Sequence, residues 1–262
     1  MSSVRFERQG GIGRILLADP PHNRVGTRYA ADLRDAVHAA GESAIRVLAV
    51  VAEGPNFSLG GDVREWPGQD GNWFRTFVRD VHTSYRAIEA LRVPTVAVVR
   101  GLAFGGGFEL ALACDFLVAA DTAVFRCVEV TTGMLPVAGG LQRLAERAGR
   151  ARAQRFATLG EPISGTQAGE LGIATHVVPE SELDAEADAL VRRLAVGPTR
   201  SYVATRTLLK VWSGGGVAAA DEVVLDVAME LYDGPDVQRG FVNTAKAFDA
   251  GVEPPEIAFD GR

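Results

Sequence analysis

The chain is short of cysteine, of histidine and of long apolar runs. Its two cysteines, Cys114 and Cys127, sit in apolar surroundings and read as reduced core thiols, not as a disulfide framework. His22, His38, His82 and His176 are scattered without the spacing that metal ligands require, so no metal is implied. No apolar stretch reaches the roughly 18 residues of a membrane span. The first ten residues, MSSVRFERQG, lack the apolar core of a signal peptide. A cytoplasmic protein with no membrane partner is therefore expected. Lys and Arg number 27 against 33 Asp and Glu, a net charge of −6. That balance disfavours nucleic acid as a partner, because phosphate binding relies on clustered cations.

What remains is ample material for a core. Of the 262 residues, 47% are apolar and 23% charged. Residues 4–7 and 13–18 alternate as two strands of a hairpin with Gly10 and Gly11 at its turn. Thr27 is placed to cap a helix running to about Ala40, on which Ala30, Leu33, Ala36 and Val37 recur at helical spacing. Apolar runs at 47–51, 95–99, 116–119, 123–125 and 175–178 read as strands, with helices between them. Residues 64–80 read as a loop leading into a helix that ends near Leu91. Residues 141–159 read as helices broken near Gly149, and Pro179-Glu180-Ser181 as the cap of a helix from about Glu182. From Thr199 to Ala250 the pattern is all helical, with breaks at Ser213–Gly216 and Asp233-Gly234-Pro235. The composition thus shifts near residue 197, from alternating β and α to α alone, an α/β class with a helical appendage. Leu48, Val50, Val96, Val98, Leu110, Leu112, Phe116 and Val118 are the expected core. No internal sequence repeat is visible.

Two glycine turns carry the chemistry. Gly105-Gly106-Gly107, within GLAFGGGFEL, follows an apolar strand and opens a helix. The first N–H groups of a helix lack intrahelical partners and lie at its positive end, which suits a negatively charged oxygen. Gly60-Gly61, within FSLGGDV, also follows a strand. If the two turns meet, two N–H donors can converge on one oxygen and hold the charge that develops on a carbonyl. Glu109 stands in the first helical turn beside that point. Alone, it would read equally well as a carboxylate complementing the helix terminus. Glu129, in FRCVEVTTG, is flanked by apolar residues, which raise a carboxyl pKa and let it hold a proton near neutral pH. Asp62 reads as the residue that fixes the turn or caps the helix after it, and Arg143 as structural. Trp66, Trp73, Phe77 and Met134 are candidates for an apolar pocket.

Taken together, FSLGGDV, GLAFGGGFELALACD and VEVTTGMLPVAGGLQRL resemble the crotonase superfamily and, within it, the enoyl-CoA hydratase/isomerase family. The resemblance implies a β-β-α spiral core over 1–196 and an all-helical C-terminal trimerisation region over 197–262. It implies a homotrimer or dimer of trimers, and an acyl-CoA substrate with no cofactor beyond the coenzyme A it carries. It implies that Gly61 and Gly106 supply the oxyanion N–H groups and that Glu109 and Glu129 are catalytic. In hydratases of the family the first carboxylate deprotonates a water that adds at Cβ, and the second delivers a proton to Cα. Leu59, Gly60, Asp62, Arg64, Gly105 and Lys246 fall at substrate-binding positions. Family members often carry Ala where Gly61 stands, which suggests a looser turn here. Leu59 is larger than usual, and the basic cluster near the last helix is thinned to Lys246. The expected activity is hydration of a 2-enoyl-CoA. The alternatives are an isomerase, decarboxylase or hydrolase of the same family, or an idle acyl-CoA-binding subunit, because fold and oxyanion hole alone do not separate them.

Overall fold

The computed structural model describes residues 2–254 and 257–261. Strands β1 (Val4–Gln9) and β2 (Ile12–Leu17) form the expected hairpin, in antiparallel register from Val4 opposite Leu17 to Gln9 opposite Ile12. Helix α1 (Thr27–Gly41) comes next and leads into β3 (Val47–Ala52). A 3-10 turn (Val63–Glu65) then precedes α2 (Gly71–Ala90). After it come β4 (Thr95–Val99), β5 (Leu102–Phe104), α3 (Gly106–Leu112), β6 (Phe116–Ala120) and β7 (Val124–Arg126). A second 3-10 turn (Glu129–Thr132) leads to α4 (Gly140–Ala148) and α5 (Arg150–Leu159), which break at Gly149 as anticipated. The two-residue strand β8 (Ile163–Ser164), helix α6 (Gly165–Glu170) and strand β9 (His176–Val178) complete the β/α part. Helices α7 (Leu183–Val196), α8 (Thr199–Tyr232) and α9 (Pro235–Asp249) finish the chain. α8 is kinked at Gly216, whose φ is 73°, inside the expected break.

The strands form two sheets. The larger has the order β1-β2-β3-β4-β6-β9, and every pair after the hairpin is parallel. The smaller has the order β5-β7-β8. Each circuit of the chain lays one strand in the large sheet, one in the small sheet, and then a helix. β4, β5 and α3 make one circuit and β6 and β7 begin the next, so the path is a β-β-α spiral. Ser58 extends the small sheet by bridging to Ala103. Helix α7 packs on β2, β3, β4 and β6. Val47, Leu48, Val50, Val96, Val99, Leu117 and Val118 are fully buried there.

Several local expectations need correction. Thr27 does not cap α1. Its backbone N–H and its hydroxyl both donate to the Glu65 carboxylate, at 2.8 and 2.7 Å, so the cap comes from a distant residue. No side chain of Pro179–Ser181 caps α7. Phe116 is half-buried, because it opens β6 at the sheet margin, whereas the other seven expected core residues are buried. Leu48 is fully buried between Gly13 of β2 and Thr95 of β4. Truncation to alanine there removes apolar contacts and leaves a cavity. Leu48→Ala is expected to lower stability by about 2–5 kcal/mol, measured by urea unfolding. A loss below about 0.5 kcal/mol would show that the sheet is not packed as described.

Candidate active site

The two glycine turns lie side by side because the small sheet puts them there. Ser58 N–H donates to Leu102 O at 3.0 Å, and Phe104 N–H donates to Ser58 O at 2.9 Å. The glycines just beyond, Gly60-Gly61 and Gly105-Gly106, therefore leave neighbouring strands at the same level. Their approach is close. A Cβ on Gly60, whose φ is +78°, would stand 2.5 Å from Phe104 O. On the other flank Val25 bridges to Gly61. Val25 N–H donates to Gly60 O at 2.9 Å and Asp62 N–H donates to Val25 O at 3.0 Å. Alternation along an extended segment then turns the intervening Gly61 N–H away from Val25. Gly106 is the first residue of α3, so its N–H has no intrahelical acceptor.

Polar residues outside the glycine motifs brace this arrangement. Asn23 is buried with φ 47°, and its amide donates to Glu53 O and Asn56 O at 3.0 and 2.9 Å. Its carbonyl accepts from the Ser58 hydroxyl at 2.6 Å. Tyr85, fully buried on α2, donates its hydroxyl to Gly106 O at 2.8 Å and anchors the start of α3 from behind. Nothing in the local sequence marks these residues apart from other loop and helix polar groups.

A cavity of about 250 Å³ opens onto the turns. Gly61, Gly105, Gly106, Glu109 and Glu129 all stand on its wall, together with Leu59, Trp66, Phe77 and Met134. The rest of the wall is mostly apolar and includes Phe74, together with Val63, Val78 and Val81, which the sequence pattern does not single out. Nor does the pattern single out Arg24, a basic residue on the same wall.

Other expected site residues lie elsewhere. Trp73 is not on the wall; it stacks on Phe77 from behind, with centroids 5.6 Å apart and planes 6° apart. Gly60 and Asp62 lie behind the wall. The Asp62 carboxylate takes both arms of the Arg64 guanidinium at 2.6 Å. That charge-assisted pairing holds the Asp62 carboxyl below its usual range. It also accepts the Arg64 N–H at 3.4 Å, the turn-fixing role anticipated for it. Arg64 itself points outward, and Lys246 lies on α9; neither reaches the wall within this chain. Gly61 does not loosen its turn, because the Trp66 ring takes up the space of the missing methyl. A Cβ on Gly61 would stand 2.6 Å from Trp66 Cζ2.

The two glutamates differ in their surroundings. Glu109 is 4% exposed, and its Oε1 accepts N–H bonds from Ala138 at 2.9 Å and Gly140 at 2.8 Å. Those donors are held in place by Arg143. Its guanidinium donates to Gly139 O at 2.9 Å and grips both oxygens of Glu89 at 3.2 and 2.8 Å. Lys210, from α8, joins Glu89 at 3.3 Å. Burial pushes the Glu109 carboxyl up to about 7, and the neighbouring Glu129 charge adds to the rise. The two N–H bonds and Arg143 oppose it. Burial also raises the Glu129 carboxyl, and its Oε2 is enclosed without a hydrogen-bond partner among the described residues. Cys127, close enough to feel both glutamate charges, is buried and pushed up to about 12, which keeps it a neutral thiol.

A β-β-α spiral that sets two glycine turns, a buried carboxyl and a half-buried one around one apolar cleft defines a class of protein. The chain belongs to the enoyl-CoA hydratase/isomerase family, whose sequence model matches residues 7–222. It is 38% identical over 175 residues to enoyl-CoA hydratase domain-containing protein 2, mitochondrial, of mouse. That match takes in 66% of this chain and 59% of the mouse protein, so it spans about three fifths of the relative's length. Over 137 residues it is 40% identical to an enoyl-CoA isomerase/hydratase of Mycosarcoma maydis, covering 52% of this chain and 50% of that one. The crystal structure of an enoyl-CoA hydratase subunit from Geobacillus kaustophilus superposes with a TM-score of 0.88 at 29% identity, over 99% of this chain and 98% of that one. The shared architecture is the crotonase spiral with a helical C-terminal region. The names correct one expectation. The mouse relative and its human and bovine counterparts are called mitochondrial, so the unremarkable N-terminal residues do not make this a cytoplasmic protein. Among the described residues, no helix is long and apolar enough to cross a membrane.

Proposed function

We propose that the chain is an acyl-CoA lyase that adds water across the double bond of a 2-enoyl-CoA. One observation carries this reading: Glu109 and Glu129 stand on the wall of the same cavity as Gly61 and Gly106. The thioester oxygen sits between the N–H groups of Gly61 and Gly106. A water bonds to Cβ while Glu109 takes its proton. The π electrons move toward the thioester, and the enolate oxygen gains charge against two fixed N–H dipoles that need no reorganisation. Glu129 then delivers its proton to Cα. The reaction needs one carboxylate and one carboxylic acid, and a buried carboxyl that feels the charge of a half-buried neighbour favours that single-proton state. The N–H bonds on Glu109 strengthen when it is the anion. The unpartnered Oε2 of Glu129 favours a proton on that carboxyl. Arg24 is the cation available on the wall to an anionic part of coenzyme A. The apolar side chains that α8 and α9 leave exposed, among them Leu209, Trp212, Leu225 and Phe248, are the surface a trimer would cover.

A general base with its pKa near 7 sets the acid side of the rate profile. Turnover, as kcat/KM for crotonyl-CoA, is expected to fall about tenfold per pH unit below about pH 7. A flat profile down to pH 5 would show that Glu109 is not the base. An isomerase is the second reading, favoured by the name of the Mycosarcoma maydis relative. The product's mass separates the two, because hydration adds one water and isomerisation adds nothing.

A further inference from the structure

Trp66 holds an unusual place in the cavity. Its six-membered ring lies directly against Gly61, with Cζ2 and Cη2 at 2.6 and 2.8 Å from where a Cβ would be. An alanine therefore does not fit there while Trp66 keeps its rotamer. From Gly61 the indole runs along the wall to Phe74 and Phe77. Its centroid is 5.4 Å from Phe74 with the planes at 75°, and 6.3 Å from Phe77 with the planes at 57°. Phe77 is backed by the parallel ring of Trp73. The result is a stiff aromatic corner that begins at one glycine turn and shares the cavity wall with the two glutamates.

We propose that Trp66 is the specificity-determining residue of this site, and that the preferred acyl group ends in an aromatic ring conjugated to the thioester. The proposal rests on the hydratase reading and names the substrate class within it. Two considerations support it. Rings set at steep angles to one another offer an incoming ring both a face to stack on and an edge to meet, the two arrangements aromatic pairs prefer. A flat conjugated acyl group is already rigid, whereas an alkyl chain loses rotamer freedom when it is confined. Gly61 is the other half of the device, the glycine that the indole requires beside it.

The test compares 3-hydroxy-3-phenylpropanoyl-CoA with 3-hydroxybutanoyl-CoA in the dehydration direction, where the conjugated thioester absorbs. It uses wild type, Gly61→Ala, Trp66→Met and the double variant. Wild type is expected to favour the aryl thioester by about tenfold in kcat/KM, the upper range of an aromatic pair. Trp66→Met is expected to bring that ratio to about one. Gly61→Ala is expected to lose about 100-fold on both thioesters, because the new methyl drives against the ring beside the N–H donor. The double variant is expected to recover most of that loss, a coupling that independent sites do not show. Calorimetric binding of the saturated 3-phenylpropanoyl-CoA and butanoyl-CoA gives a second readout that needs no turnover. An alkyl preference in wild type, a ratio unmoved by Trp66→Met, or a double variant no better than Gly61→Ala would overturn the proposal. Absence of all turnover with the aryl binding preference intact would overturn the hydratase reading and leave Trp66 as the selector.

Discussion

Glu109→Gln is expected to lower turnover of a 2-enoyl-CoA by about 10²–10⁴-fold, the usual contribution of a positioned acid or base. The substitution is mild in shape. The glutamine Oε1 can still accept the N–H groups of Ala138 and Gly140, so the 138–140 backbone keeps its place. What is lost is the ability to take a proton. Binding of a saturated acyl-CoA should change by less than about threefold, since in the proposed mechanism the residue acts on the water and not on the thioester. A second consequence runs the other way. The folded-state pKa of Glu109 is about 7, above the ordinary carboxyl value of 4.5. Between those two values the folded protein binds more protons than the unfolded chain, so stability falls as pH rises through this window. Glu109→Gln removes that slope. The variant is therefore expected to melt higher than wild type at pH 8, with the gap closing by pH 5. An inactive enzyme with increased stability is the signature of a carboxylate kept buried for chemistry. Full activity in the variant would remove Glu109 from the mechanism. Equal melting shifts at both pH values would show that the Glu109 pKa is not raised in the folded protein.

Gly140→Ala is expected to disable the site with both glutamates left in the sequence. A methyl on Gly140 would stand 2.4 Å from Glu109 Cγ and 3.0 Å from its Oε1. The carboxylate must then rotate or the loop must retreat, and either breaks the paired N–H bonds. Displacing a catalytic group by about 1 Å costs on the order of 100-fold. The stability loss from overpacking is expected to be about 1–3 kcal/mol, small enough to purify the folded protein. In the Glu109→Gln background the same change should cost little more activity, because both substitutions disable one group. Multiplicative losses in the double variant would show that Gly140 acts by another route.

Much of the site was legible in the chain itself because its parts are local. A glycine triplet between a strand and a helix, a glycine pair after another strand, and a glutamate within apolar residues can each be read without knowing the fold. The strands at 47–52, 95–99 and 116–120 declared themselves by their apolar runs, and the break near Gly149 by its glycine. The second sheet was harder. β5 is three residues long and β8 two, too short for alternation to register. The spiral repeats a path and not a sequence, so no period is visible. The braces were hidden for a different reason. Asn23, Ser58, Tyr85 and Arg143 work across 21 to 54 positions of chain, and only the fold reveals what each one holds. Trp73 and Phe77 share a helical face at i and i+4, yet only Phe77 reaches the cavity, since Trp73 stacks behind it. Gly61 is the most instructive departure. A missing methyl looks like slack in the sequence, but the space belongs to Trp66.

Two carboxyls and two backbone N–H groups on one wall are proposed to hydrate a conjugated thioester. The most direct measurement monitors the loss of the conjugated-thioester absorbance of crotonyl-CoA on adding the purified protein, with Glu109→Gln and Glu129→Gln run beside it and the products weighed. The expected result is rapid loss with wild type alone and a product heavier by one water. Undiminished loss in either variant, or a product of unchanged mass, would contradict the claim.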